Sequence, residues 1–146
     1  MSVRPRQLRA VIAARERLRD LAGAAHAQAA AAELHAQAAA TSASADLDQA
    51  IADARDRMAT GAGLHELMRI ADELAGDRAH VQAAEQERLA AGVRAQESAA
   101  ALRLRERELR TVERVLEDRR DQLAVSAERG EQRVTDDHGG RRGRPT

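Results

Sequence analysis

The chain has no cysteine, no phenylalanine, tryptophan or tyrosine, and only two prolines. Without cysteine there is no disulfide and no thiolate metal site, which suits a cytosolic setting. Without aromatics, and with only 25 Leu, Ile and Val among 146 residues, there are too few bulky side chains to fill a compact three-dimensional core. No apolar run approaches the roughly 18 residues a membrane-spanning helix needs, so no membrane insertion is expected. Residues 1–19 carry arginine throughout and lack the apolar core of a secretory signal. Lysine is absent too: all 24 basic residues are arginine, which is the mark of GC-rich coding before it is the mark of a function. What is present in quantity is alanine, 35 residues, with a third of the chain charged and a net charge of zero. That mixture of Ala, Arg, Glu and Leu at helical spacing reads as long helix or coiled coil.

Helix breakers are scarce as well. Between Pro5 and Gly130 the one tight cluster is Thr60-Gly61-Ala62-Gly63. Glycine tolerates positive φ, so the chain can reverse there with little strain, with Gly61 and Gly63 as the turn residues. The expected fold is all-α: a long antiparallel two-helix coiled-coil hairpin with a disordered C-terminal tail. Its divisions are a flexible start over 1–4, a first helix over 5–59, a turn over 60–63, a second helix over 64–134, and a disordered basic tail over 135–146.

Ser2 and Pro5 mark the first helix start, Pro being tolerated in a first turn. Leu8, Val11, Ile12, Leu18 and Leu21 then form an apolar stripe. From Ala22 to Ala45 the stripe is nearly all alanine (Ala22, Ala25, Ala29, Ala32, Ala36, Ala39), which favours helix but buries little area. Thr41 to Ser44 is the softest point, where a kink or a fresh helix start capped by Ser44 is conceivable. Leu47, Ile51, Ala54 and Met58 restore bulk before the turn. In the second helix Glu66 is placed to satisfy first-turn amides. A seven-residue series follows: Leu67, Leu74, Val81, Arg88, Ala95, Leu102, Leu109, Leu116 and Leu123. Ile70, Ala84, Ala91 and Val112 lie between, interrupted by Asp77, Ser98, Arg105 and Arg119. Glu106→Arg110 and Asp53→Arg57 are favourable surface pairs at i,i+4. Folding the chain about residue 62 sets Leu8 against Leu116, Ile12 against Val112, Leu21 against Leu102, Ile51 against Leu74, and Met58 against Leu67. Arg120 to Val134 then overhangs the first helix, with Gly130 expected to fray it.

Charge is uneven. Residues 1–20 hold six arginines and two acids, residues 102–146 twelve and ten, and residues 21–101 six and twelve. The terminal stretches are therefore basic and the middle acidic, an asymmetry that suits two different partners.

Recognisable chemistry is missing. His65-Glu66-Leu67-Met68-Arg69 opens like a zinc-protease helix but has no second histidine. Gly61-Ala62-Gly63 lacks the third glycine and the strand of a dinucleotide loop. His26, His35, His65, His80 and His138 are scattered. No catalytic, cofactor-binding or metal residue is expected, and a two-helix fold offers no concave site for an enzyme. Arg142-Gly143-Arg144-Pro145 matches the core of an AT-hook, which reads the minor groove of A·T-rich DNA. A single copy with no basic residue after it makes nucleic-acid binding the minor alternative.

The run Arg105-Glu106-Arg107-Glu108-Leu109-Arg110-Thr111-Val112-Glu113-Arg114-Val115-Leu116-Glu117-Asp118-Arg119-Arg120 resembles the corresponding run of the FliJ/YscO family. So does the pattern Glu128, Glu131, Gln132, Asp136, Asp137, together with the Arg-rich start Arg4-Pro5-Arg6-Gln7-Leu8 and the mid-chain glycine turn. Members of that family are central stalks of type III secretion, in flagellar or injectisome export apparatus. The resemblance implies a non-enzymatic, cytoplasmic protein peripheral to the inner-membrane machinery. It implies that the terminal end enters a hexameric export ATPase, that the tip touches the export-gate membrane protein, and that secretion chaperones are further partners. The lack of aromatics near the turn departs from the flagellar members and favours a virulence- or Hrp-type system, with both left open. On this reading the outward residues Arg103, Arg107, Arg110, Arg114 and Leu123 meet the ATPase, and Leu64, Leu67 and Met68 meet the gate. A generic structural coiled coil is the other alternative.

Overall fold

The computed structural model describes residues 4–141, the last by its backbone alone. Two helices account for nearly all of it: α1, Pro5–Ala59, and α2, Leu64–Arg141. They run antiparallel and pack against one another.

Local chemistry explains their ends. At the start of α1 the Arg4 amide donates to Gln7 Oε1 at 3.1 Å, and Leu8 N donates to Arg4 O at 3.2 Å. Arg4 is thus the cap, Pro5 the first helical residue, and Gln7 the reciprocal half of a capping box. Ser2 lies outside the described residues. At the far end Thr60 Oγ1 donates to Arg57 O at 2.9 Å, and Gly61 N donates to Met58 O at 3.2 Å. Gly61 has φ of 90°, the left-handed conformation that ends many helices and that a Cβ disfavours. Leu67 N then donates to Gly63 O at 3.0 Å, opening α2.

The chain divides into two units: Leu21–Arg103, and Met1–Asp20 with Leu104–Thr146. In the first, the inward positions of α1 alternate steps of four and three residues: 22, 26, 29, 33, 36, 40, 43, 47, 50 and 54. This is a heptad seam. Its buried residues are small: Ala36, Ala40, Ala43 and Ala54 from α1, with Ile70, Ala91 and Ala95 from α2. Small side chains bring the backbones close. A Cβ added to Gly23 would sit 3.9 Å from Leu102 Cδ1, and one added to Gly92 3.5 Å from Glu33 Oε1. Gly23 with Leu102, His26 with Ser98, Glu33 with Gly92, and Arg57 with Glu66 are all centred on position 62 within one residue.

Two sequence expectations change here, and the softest point of α1 holds. Leu21 is 68% exposed rather than seated in the seam; the four–three alternation passes through Ala22 instead, and Leu102 lies against Gly23. The Thr41–Ser44 stretch does not break α1. Thr41 Oγ1 donates back to Gln37 O at 3.0 Å, which satisfies the hydroxyl without disrupting the helix. Asp53 does not pair with Arg57. It accepts from Gln49 Nε2 at 3.0 Å, while Arg57 reaches across the turn to Glu66 at 3.5 Å and Glu73 at 3.2 Å. One arginine near two carboxylates of the opposite helix gains more than from one carboxylate on its own.

In the second unit Leu8, Leu109 and Leu116 are buried, with Ile12 and Val112 half-buried beside them. A charged layer crosses this seam. Arg15 Nη1 donates to Glu108 Oε2 at 2.7 Å, and Arg105 Nη1 donates to the same oxygen at 3.1 Å. From Asp121 to Gly140 every residue of α2 is exposed. The helix nonetheless runs to Arg141, past Val134 where the tail is expected to begin, and Gly130 lies inside it. Within it Thr135 Oγ1 bonds back to Glu131 O and His138 Nδ1 lies at Val134 O, each at 2.9 Å, so these side chains are satisfied along the helix. The rest of the expected tail, 142–146, lies outside the described residues.

Candidate docking surfaces

With the inward positions of each unit occupied by the seam, the chemistry of this protein lies on what faces outward. In the unit containing Leu104–Thr146, Arg107, Arg110 and Arg114 are exposed and recur at steps of three and four along α2. That spacing puts them on one face, and the buried Leu109 and Leu116 lie on another. Arg110 Nη2 approaches Glu106 Oε2 at 3.9 Å, the expected i,i+4 pair at loose range. Among the described residues Arg107 and Arg114 have no ion-pair partner, so their guanidinium groups stand free in solvent. Beside them Arg19 is held charged by its hydrogen bond and charge interaction with Asp20, and Glu113 adds to the effect. Arg103 is exposed too, in the other unit. Leu123 is 52% exposed in the stretch of α2 beyond the seam.

The turn carries the second surface. Leu64 is 76% exposed, Met68 60% and Leu67 38%. Leu64 and Met68 are one turn apart on α2, and Met58 at the end of α1 is exposed as well. Gly61 and Gly63 have nothing within 4 Å of an added Cβ. Gly61 therefore holds its place by backbone conformation alone.

The seam periodicity of α2 already holds Ser98 and Arg105 as polar interruptions, but sequence reasoning missed their partners Arg15, His26 and Glu108. Arg15, Glu108 and Arg105 form one polar layer. His26 and Ser98 form another, with Nδ1 and Oγ 3.0 Å apart. Ser98 Oγ donates to Ala95 O at 2.9 Å. A hydroxyl has one proton, so whenever Ser98 donates to Ala95 O it accepts from the Nδ1–H tautomer of His26. The strict four–three alternation was the signal that marks these positions; their polarity hid it. Polar layers of this kind fix register at some expense of stability.

The remaining histidines are on the surface. Among the described residues no group of His, Cys, Asp or Glu is arranged to hold a metal ion. No described helix is long and apolar enough to cross a membrane. The Arg142–Pro145 motif lies outside the described residues. No protein-family profile, curated protein or solved structure matches this chain.

Proposed function

We propose that this chain is a non-enzymatic coiled-coil stalk of a type III secretion ATPase complex, in the cytoplasm beside the inner-membrane apparatus. Its arginine-faced terminal region docks into the ATPase, its turn touches the export gate, and secretion chaperones are further partners. The observation that carries the reading is the exposed row Arg107, Arg110, Arg114. These guanidinium groups are free of the seam and available to a partner, and their charge steers association with an acidic surface. The apolar residues at the turn, Leu64, Leu67 and Met68, suit a second partner, and the +6 and −6 charge split between the terminal and middle stretches suits two.

The test is charge reversal on the outward row. Arg107→Glu, Arg110→Glu and Arg114→Glu together should leave helicity nearly unchanged, since exposed substitutions usually cost within about 0.5 kcal/mol each. They should weaken binding to a type III export ATPase, with the largest loss at low salt, where charge is least screened. Unaltered ATPase binding by the triple variant, with binding abolished by substitutions at Leu64, Leu67 and Met68, would reverse the orientation of the stalk. ATPase binding indifferent to both sets would leave a generic coiled coil. Loss of DNA binding on removal of 139–146 would favour the AT-hook instead.

A further inference from the structure

Beyond Arg120 the outer part of α2 has no cover, yet its sequence continues the pattern of the covered part. Leu116, Leu123 and Gly130 are spaced by seven, as are Ala127 and Val134. Helical periodicity places all five on the face that α1 covers at Leu116. Leu123 is 52% exposed and Val134 59%. Gly130 has nothing within 4 Å of an added Cβ, so no contact among the described residues asks for a glycine in the middle of this helix, where it weakens the helix.

The order of residues on this face explains what the chain alone does not. Arg120, Leu123, Ala127, Gly130, Val134 and Asp137 are separated by three, four, three, four and three residues. The spacing is the same in either direction. Chemically the series complements its own reverse: base with acid, bulky with bulky, small with small. We propose that two copies of the chain pair antiparallel through this face, about a two-fold axis between Glu128 and Arg129. Leu123 of one copy packs on Val134 of the other, Ala127 meets Gly130, and Arg120 closes each end against Asp137. The pairing is isologous, so every layer occurs twice. The central Ala–Gly layers let the backbones approach closely, and this is the role of Gly130. A contact this short belongs with the small, transient class of interfaces, so the dimer forms reversibly with concentration. This inference stands apart from the ATPase reading and needs no other protein.

Sedimentation equilibrium of the full chain tests it. The wild type should pass from monomer to dimer as concentration rises. Arg120→Asp and Asp137→Arg should each raise the dissociation constant by about tenfold or more, and the two together should restore it, because the end layers are re-formed with signs exchanged. Gly130→Leu should abolish the dimer while far-UV circular dichroism shows helix retained. The absence of cysteine allows a second measurement. Leu123 and Val134 are about 16 Å apart along one helix, too far for a disulfide within a chain. Leu123→Cys with Val134→Cys should give a covalent dimer under mild oxidation, and Leu123→Cys alone should not. A wild type that stays monomeric, a double charge exchange no better than the single ones, or efficient cross-linking through Leu123→Cys alone, as in a parallel pair, would each overturn the proposal.

Discussion

Glu85 and Arg88 lie three residues apart on α2, and Arg88 Nη2 reaches Glu85 Oε1 at 2.5 Å with Nε bridging both carboxylate oxygens at 3.0 Å. The hydrogen bond to Arg88 holds the Glu85 carboxyl below its ordinary value, its charge adding to the effect and desolvation opposing it. The folded chain therefore binds fewer protons at this site than the unfolded chain does. The contribution is present above the ordinary glutamate value of 4.5 and is lost as pH falls through the lowered folded value. Both side chains face solvent, so the stabilisation is small, and the carboxyl's own titration is the sensitive readout. Side-chain NMR should find Glu85 titrating below 4.5, and Arg88→Ala should move it back toward that value. A Glu85 titration that does not respond to Arg88→Ala would mean the pair does not persist in solution.

At the level of the helix, much of α2 was legible in advance and much of α1 was not. The seven-residue series from Leu74 to Leu116 marks the inward face of α2 because five of its positions, Leu74, Val81, Leu102, Leu109 and Leu116, carry leucine or valine, with Arg88 and Ala95 between them. In α1 the inward face runs Leu8, Ile12, Arg15, Arg19, Ala22, His26. Bulk was the misleading cue: Val11, Leu18 and Leu21 have the size of seam residues but are 42%, 37% and 68% exposed. Through the alanine-rich middle the cue fails differently. Ala25, Ala32 and Ala39 are exposed while Ala36, Ala40 and Ala43 are buried, and alanine looks alike on both faces. Only the four–three alternation, carried through arginine, histidine and glutamate, separates them. The arginine positions 103, 107, 110 and 114 fall outside that periodicity and are exposed, whereas Leu67 and Leu123 belong to the seven-residue series and are exposed because α1 does not cover them. The difference between the leucines is measurable. Leu109→Ala should destabilise by about 2–5 kcal/mol toward the lower end, because a two-helix seam can partly collapse on the vacancy. Leu21→Ala should cost less than about 0.5 kcal/mol. Urea unfolding followed by circular dichroism at 222 nm would separate them; equal losses would restore Leu21 to the seam.

For the molecule as a whole, the composition sets what the two helices can do. Among the described residues none of appreciable size is fully buried, and each buried methyl or methylene supplies only about 0.8 kcal/mol. Stability is therefore spread thinly along both helices, with capped ends and local hydrogen bonds contributing a large share. The alanine seam has a consequence for the chain's response to temperature. The heat capacity gained on unfolding comes from newly wetted apolar surface, about 12–15 cal/mol/K per residue in ordinary globular domains. Little such surface is hidden here, so that increment should be markedly smaller per residue. The stability curve should be shallow, with the enthalpy of unfolding nearly constant over tens of degrees. Scanning calorimetry on the full chain should record a broad, low endotherm with almost no step between the baselines before and after it. A sharp transition with a step of ordinary globular size would show that far more apolar surface is covered in solution than one chain can cover by itself.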